Sequence, residues 1–341
     1  MNKWISLLLA VCLVLALAVL DGSASTARAV ITVYSQGDWI SPDLLEDFSR
    51  QTGIEVDYIV SETPPQDVQA DVLLADSELL GSLAEQGALA ALESVRPEPF
   101  GEEIDASFLR DCGVPEGYVI PCLWTSMGLL YNPTQSDLQV TSWGILFDTR
   151  FAGQIIMPDR YREAYAVALA ALGLDVNSAD DDTLLAAEEA LERQQALVLD
   201  RCSPAQLEDY FASGEAVIAP CYAAVAGKLM AENPQLSFII PNEGSWRILL
   251  SYAVAADTDR AGYAGQFLDY MCRAEHLARN AAYCGYSTTS TAAWNLLDKS
   301  WQQNPLAYPN LPDGAHVPVL EAMPVRQRTR CLRGWAALSG Q

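Results

Sequence analysis

Only two histidines, His276 and His316, occur in the 341 residues, and neither stands beside a serine or cysteine motif. There is no Gly-x-Ser-x-Gly elbow and no His-Glu-x-x-His pair. The chain therefore lacks the visible parts of a nucleophile with its base, or of a metal-activated water. His276, in a helical stretch with Glu275 and Arg279, reads as a surface residue. The 44 acidic residues could supply a glycosidase pair, but carboxylates this common single out none. Eight cysteines include no Cys-x-x-Cys pair, which argues against a zinc site and for disulfides in an oxidising compartment. Neighbouring candidates are Cys112 with Cys122, Cys202 with Cys221, and Cys272 with Cys284, leaving Cys331 over. No cofactor and no metal are expected, and the reading is of a protein that is not an enzyme.

A formal charge of −24 would be repelled by nucleic acid and by anionic membranes and would attract a cation. Acidity that merely keeps an exported protein soluble fits equally well. Export itself is written at the amino terminus. Lys3, an apolar run from Ile5 to Leu20 and the small-residue stretch Ala27-Arg28-Ala29 read as a secretory signal peptide cleaved after Ala29, so that residues 1–29 are removed. The run falls short of a membrane span of about 20 residues and is closed by Asp21-Gly22-Ser23. Leu9-Ala10-Val11-Cys12 faintly resembles a lipobox, so anchoring through Cys12 is the rival. The expected location is periplasmic or extracellular. Roughly 310 residues remain, more than one core usually holds, which suggests two domains.

The elements that would position a site follow βαβ grammar. Val30–Tyr34 is a β-rich run, and Ser41-Pro42 supplies an N-cap and a first-turn proline for a helix over Asp43–Arg50, stopped at Gly53. Ile54, Val56, Tyr58 and Val60 alternate as in a strand, and Ala70–Ala75 is a continuous run of the kind buried in a parallel sheet. A helix follows over Leu79–Glu85. The middle repeats the pattern with a strand at Gln154–Met157 and helices over Glu163–Leu172 and Asp181–Gln195. Further strands are expected at Ala216–Ala219, Ser237–Ile240 and Leu249–Val254, then two helices over Ala261–Tyr283 broken near Cys272.

Several ordered segments resemble the spermidine/putrescine-binding proteins of bacterial ABC importers. They are Val33–Phe48 with Thr52–Val56, Ile120–Trp124, Thr141-Ser142-Trp143 with Phe151-Ala152-Gly153, Arg162-Glu163, Asn242-Glu243-Gly244, and Gly285–Thr288. The resemblance covers nearly the whole mature chain at low identity. It implies an α/β protein of the periplasmic-binding-protein fold, with two α/β lobes joined by a hinge and a ligand cleft between them. Residues 30–132 and about 252–305 would form one lobe, and 133–251 with about 306–341 the other. Hinge closure on a small solute, favoured as polyamine-like or another organic cation, would present the complex to ABC permease subunits. The protein is expected to act as a monomer.

A polyamine site needs carboxylates for ammonium groups and aromatic faces for the methylene chain. The resemblance places Trp39, Tyr222 and Tyr286 on aromatic binding positions, Asp38 and Glu163 on acidic ones, and Asp76 and Glu78 in a wall loop. Each has a structural alternative: core packing for the aromatics, helix capping for Asp38, and pairing with a neighbour on its own helix for Glu163. There are departures as well. Gln36 stands at a tryptophan position, Arg160 at a binding acid, and an ungapped alignment puts Ile248 and Leu250 at a tryptophan and the anchoring aspartate. Losing that anchor removes a bond worth roughly 1.5–3 kcal/mol. A ligand with one cationic end fits at least as well as a polyamine. Arg160 and Arg247 keep an anion in play, and a vitamin, ferric ion or a sensing role remain open on the same fold.

Overall fold

The computed structural model describes residues 29–62, 69–96, 104–135, 139–309 and 317–339; residues 1–28 of the expected signal peptide, Cys12 among them, and His316 lie outside them. The described strands are β1 (Val30–Ser35), β2 (Glu55–Val60), β3 (Val72–Asp76), β4 (Val119–Tyr131), β5 (Ile155–Pro158), β6 (Val198–Cys202), β7 (Ile218–Tyr222), β8 (Ser237–Ile239), β9 (Arg247–Val254) and β10 (Ser287–Thr288). β1 runs parallel to β2 and β3, β9 runs antiparallel between β3 and the first part of β4, and β10 pairs with β4 at Leu123 and Trp124. From Met127 to Tyr131, β4 pairs instead with β7 and β8, and β5 lies parallel between β7 and β6.

One 13-residue strand therefore serves two sheets. Its register shifts beside Pro121, which has no N–H to give the ladder. Past the changeover, an added Cβ on Gly128 would collide with the Phe238 ring and the Ile239 carbonyl, so only glycine lets β8 lie this close. The second change of sheet comes with β9, which begins at Arg247 and belongs wholly to the first sheet. Both changes precede the expected boundaries at 132 and 251, because they fall within or beside strands that pair across the region.

The helices flanking the sheets are α1 (Pro42–Thr52), α2 (Ser77–Glu85), α3 (Tyr161–Ala171), α4 (Asp181–Gln194), α5 (Leu207–Ser213), α6 (Ala223–Glu232), α7 (Ala261–Met271), α8 (Ala274–Cys284) and α9 (Val325–Ser339). α1 starts on Pro42 and ends on Gly53 at φ 74°, a left-handed cap whose N–H reaches the Ser49 carbonyl. It buries Leu44 and Phe48, and Phe48 meets the edge of Phe267 on α7 at 5.2 Å between centroids. Alternation splits the first sheet. Ile31, Val33, Val72 and Leu74 enter a buried cluster that runs on into the second sheet, while Tyr34, Leu73 and Ala75 pack on the opposite face.

The motifs that carry the family resemblance interlock in pairs. Trp143 stacks on Trp246 at 5.1 Å and donates from Nε1 to the Gly244 carbonyl, while Ser142 bonds Glu243 and the Asn242 N–H reaches the Thr141 carbonyl. Likewise Ser287 and Thr288 pair with Trp124 and Leu123, and the Thr289 hydroxyl donates to the Pro121 carbonyl.

Two expectations are corrected. The seven described cysteines are buried and unpaired. Cys112 and Cys122 belong to buried clusters on opposite faces of the first sheet. Strand β5 separates the strands of Cys202 and Cys221, a gap of about 9–10 Å. Cys272 and Cys284 sit at opposite ends of α8, about 16 Å apart. None of these pairs comes within the roughly 7 Å reach between Cα atoms that a disulfide spans. His276 is buried rather than on the surface, with Nδ1 2.7 Å from the Tyr270 carbonyl and its ring 3.9 Å from that of Tyr270.

The packing predicts that protein prepared without reductant, then unfolded, exposes seven thiols to a thiol-reactive dye. Native protein should react slowly, because burial raises the thiols of Cys122, Cys221, Cys272 and Cys284 above their ordinary range. A count short by two or more would contradict the arrangement.

Candidate functional site

Strands β1, β3, β5 and β7 each run into a helix, and residues at the β1, β5 and β7 junctions line a cleft of about 590 Å³ with the β3 junction behind it. In open α/β sheets the carboxyl ends of strands carry such sites, since loops project there and helix N-termini face them.

At the β1 junction, residues 36–41 are tied down by side chains from elsewhere. The Tyr58 hydroxyl accepts from the Trp39 and Ile40 N–H groups, at 3.1 and 3.2 Å. Asn280 on α8, fully buried, accepts from the Ser41 N–H at 2.9 Å and donates to the Trp39 carbonyl at 2.8 Å. The Trp39 indole lies over Gly37, where an added Cβ would come within 2.5 Å of the ring, so this turn has room only for glycine. Trp39 and Tyr286 then form an aromatic corner, 6.2 Å between centroids. Asp38 lines the cleft and does not cap α1, whose N-cap is Ser41.

At the β3 junction Asp76 does two jobs. One carboxylate oxygen caps α2 through the Leu79 N–H at 2.9 Å, and the other meets Arg160 at 2.7 Å. The Gln36 side chain holds the Asp76 N–H at 3.1 Å. At the β5 junction Arg160 occupies the N-cap of α3, an unfavourable place for a cation on helix-dipole grounds. Three carboxylates offset this: Asp76 at 2.7 Å, Glu78 at 3.2 Å and Glu163 at 3.2 Å. Asp76 and Glu78 come from the first sheet's side and Arg160 from the second, so the ion pairs bridge the two. Tyr222, at the end of β7, donates to the same Glu163 oxygen at 2.9 Å.

Asp38, Trp39, Glu163, Tyr222 and Tyr286 thus meet at one cleft, whereas Asp76 and Glu78 stand behind it and hold Arg160, which does line it. Arg162 is not Glu163's partner. It is buried and points away, donating to the carbonyls of Glu321 and Val176 and to Asn177 Oδ1. Ile248 contributes apolar wall, and Leu250 is wholly buried in the core. Sequence reasoning missed Tyr58 and Asn280, whose alternating or helical settings read as ordinary packing. It also missed Glu208, Lys228 and Glu232 on α5 and α6, since Lys228 and Glu232 at i,i+4 read as a solvated helix face.

Electrostatics follow from burial. The Glu163 carboxyl is pushed up to about 7 by desolvation, against the pull of Arg160 and the bond from Tyr222. Burial also raises Glu78, with Asp76 adding to the effect. Burial works against the charge on Arg160, but Asp76, Glu163 and Glu78 together hold its pKa well above the usual arginine value.

Glu163 holds its proton more tightly in the folded state than at its ordinary value of 4.5. It therefore contributes most stability below about 4.5 and loses that contribution as pH rises to about 7. Glu163→Gln, which carries no such proton, should melt with a flatter pH profile across this window, and the gap between the two proteins should level off above it. Parallel profiles would contradict the assignment.

The comparisons with known proteins agree with this geometry. The family model described as a bacterial extracellular solute-binding protein matches residues 44–309. A putrescine/agmatine-binding protein of Pseudomonas aeruginosa is 25% identical over 92% of this chain and 93% of its own, and spermidine/putrescine-binding periplasmic protein 1 of Haemophilus influenzae is 25% identical over 85% of each. Among solved structures, a putative spermidine/putrescine ABC transporter from Listeria monocytogenes superposes with a TM-score of 0.81 at 24% identity, covering 91% of this chain and 98% of the other. The fold is that of the two-lobed periplasmic binding proteins. With most of its length matched and its cleft set at the junctions of two sheets, this chain belongs to the bacterial extracellular solute-binding protein family.

Proposed function

We propose that the protein captures a small organic cation, polyamine-like in its amine chemistry, between its two sheets and passes it unchanged to the permease subunits of an ABC importer. It works as a monomer outside the cytoplasmic membrane after cleavage behind Ala29. The lobes are residues 30–126 with β9 through β10, and 127–246 with α9. Asp38, Trp39, Glu163, Tyr222 and Tyr286 form the binding wall, and Asp76 and Glu78 fix its charge.

The observation that carries this reading is the lining. Among the described residues it holds six carboxylates, Asp38, Glu62, Asp159, Glu163, Glu208 and Glu232, against Arg160 and Lys228. A cation is attracted to such a cleft, and the faces of Trp39 and Tyr286 suit its methylene groups and charge. An anion loses the two arginines that favoured it. Arg160 is held by three carboxylates, and Arg247 lies outside this lining, beside Asp111 at 3.4 Å and over the Phe108 ring at 4.7 Å. Among the described residues no group of three or more His, Cys, Asp or Glu side chains could hold a metal ion.

A thermal-shift panel of amines, amino acids, vitamins and organic anions, followed by calorimetry, tests the reading. An amine at 100 times its Kd should stabilise the fold by about 2.7 kcal/mol. Trp39→Ala should weaken that amine about 2- to 30-fold, the range expected for a lost cation–π face. A clear shift from an organic anion with silence from every amine would sink it.

A further inference from the structure

Arg160 is the one cleft residue whose charge opposes the attraction just described at the cleft's most acidic corner. Its guanidinium is not free. Asp76, Glu78 and Glu163 reach it at 2.7, 3.2 and 3.2 Å, and the side chains of Asp76 and Glu163 are about 5% and 4% exposed. This is the arrangement a carboxylate cage offers to the charged end of a bound amine, with the cation supplied by the chain itself. Tyr222 closes the cage from the β7 side by donating to Glu163.

Building on the organic-cation reading above, we infer that Arg160 is a resident cation that fills one ammonium subsite, so that the ligand is an amine or guanidine with a single charged end and an apolar body. The charged end is left to the acids beyond Arg160's reach. Asp38 sits beside the Trp39 and Tyr286 faces, and Glu62 lines the same cleft. Ile248, Val225 and Leu229 line the cavity with apolar surface that suits a hydrocarbon chain, while the other lining acids share their side of the cleft with a resident cation: Asp159 precedes Arg160, and Glu208 and Glu232 line the cavity with Lys228. A linear diamine would have to bring its far charge to acids that Lys228 and Arg160 stand beside, or to the corner where Arg160 already holds Asp76, Glu78 and Glu163 and repels it. An organic anion fares no better, because three acids surround the one guanidinium it would need.

Calorimetric titration with butylamine and putrescine, which share a four-carbon chain and differ by one ammonium group, tests the inference. Butylamine should bind the unmodified protein about tenfold or more tighter. In Arg160→Ala the order should reverse, because the second ammonium of putrescine takes the vacated place among Asp76, Glu78 and Glu163. Putrescine binding the unmodified protein at least as tightly as butylamine would overturn the inference and leave the organic-cation reading standing. An order that does not reverse in a folded variant would overturn the role given to Arg160. Silence toward both amines in both proteins would overturn this inference, while the broader reading is decided by the amine panel above. Where the alanine variant melts early by circular dichroism, Arg160→Gln replaces it, and if neither folds the ratio for the unmodified protein decides.

Discussion

Strand β4 is the constraint from which the rest follows. Seven of its first eight residues are ladder partners of β9 and its last five of β7, so it belongs to both sheets, and they cannot separate without bending it. A strand shared in this way must be buried on both sides, and from Val119 to Leu130 only Trp124 escapes full burial. That geometry sets the carboxyl ends of β1 and β3 against those of β5 and β7 across a gap, which becomes the cleft. Opening and closing about such a strand moves whole lobes, the behaviour expected of hinge proteins.

Within the gap, charge is arranged economically. Two N-cap positions, Asp76 and Arg160, face each other across the lobes, and the helix that Asp76 caps is anchored to the first sheet while Arg160 begins α3 behind the second. The pairing therefore couples helix placement to lobe placement. Buried ion pairs of this kind contribute little net stability against apolar packing but are costly to break from one side, so they specify geometry more than they add stability. The loop bearing Trp39 is specified differently, by neutral bonds from Tyr58 and Asn280 and by the absence of a side chain on Gly37.

Much of this was legible in the chain before the coordinates. The strand-to-helix junctions are signalled by short β-rich runs followed by proline, acidic first turns or alanine-rich stretches, so β1, β3, β5, α1, α3 and α4 fell within a few residues of expectation. The two helices broken near Cys272 are α7 and α8. β4 was hidden because Pro121 and Gly128 punctuate it and its burial on both faces erases alternation. The carboxyl-terminal helix α9 carries too many arginines to show a clear apolar stripe. The candidate residues came from resemblance, and Arg160 entered only as a departure from it. That Asp76 and Glu78 from the β3 junction join Glu163, one turn along Arg160's own helix, on one guanidinium depends on tertiary folding across 84 residues of sequence, which no local pattern records.

The buried, unpaired cysteines have a consequence for the life of the protein. A fold that closes no covalent loop takes its cohesion from packing, and its folding needs no oxidase or disulfide isomerase to sort partners. The described part of the chain can therefore reach the same structure in a reducing compartment as in an oxidising one.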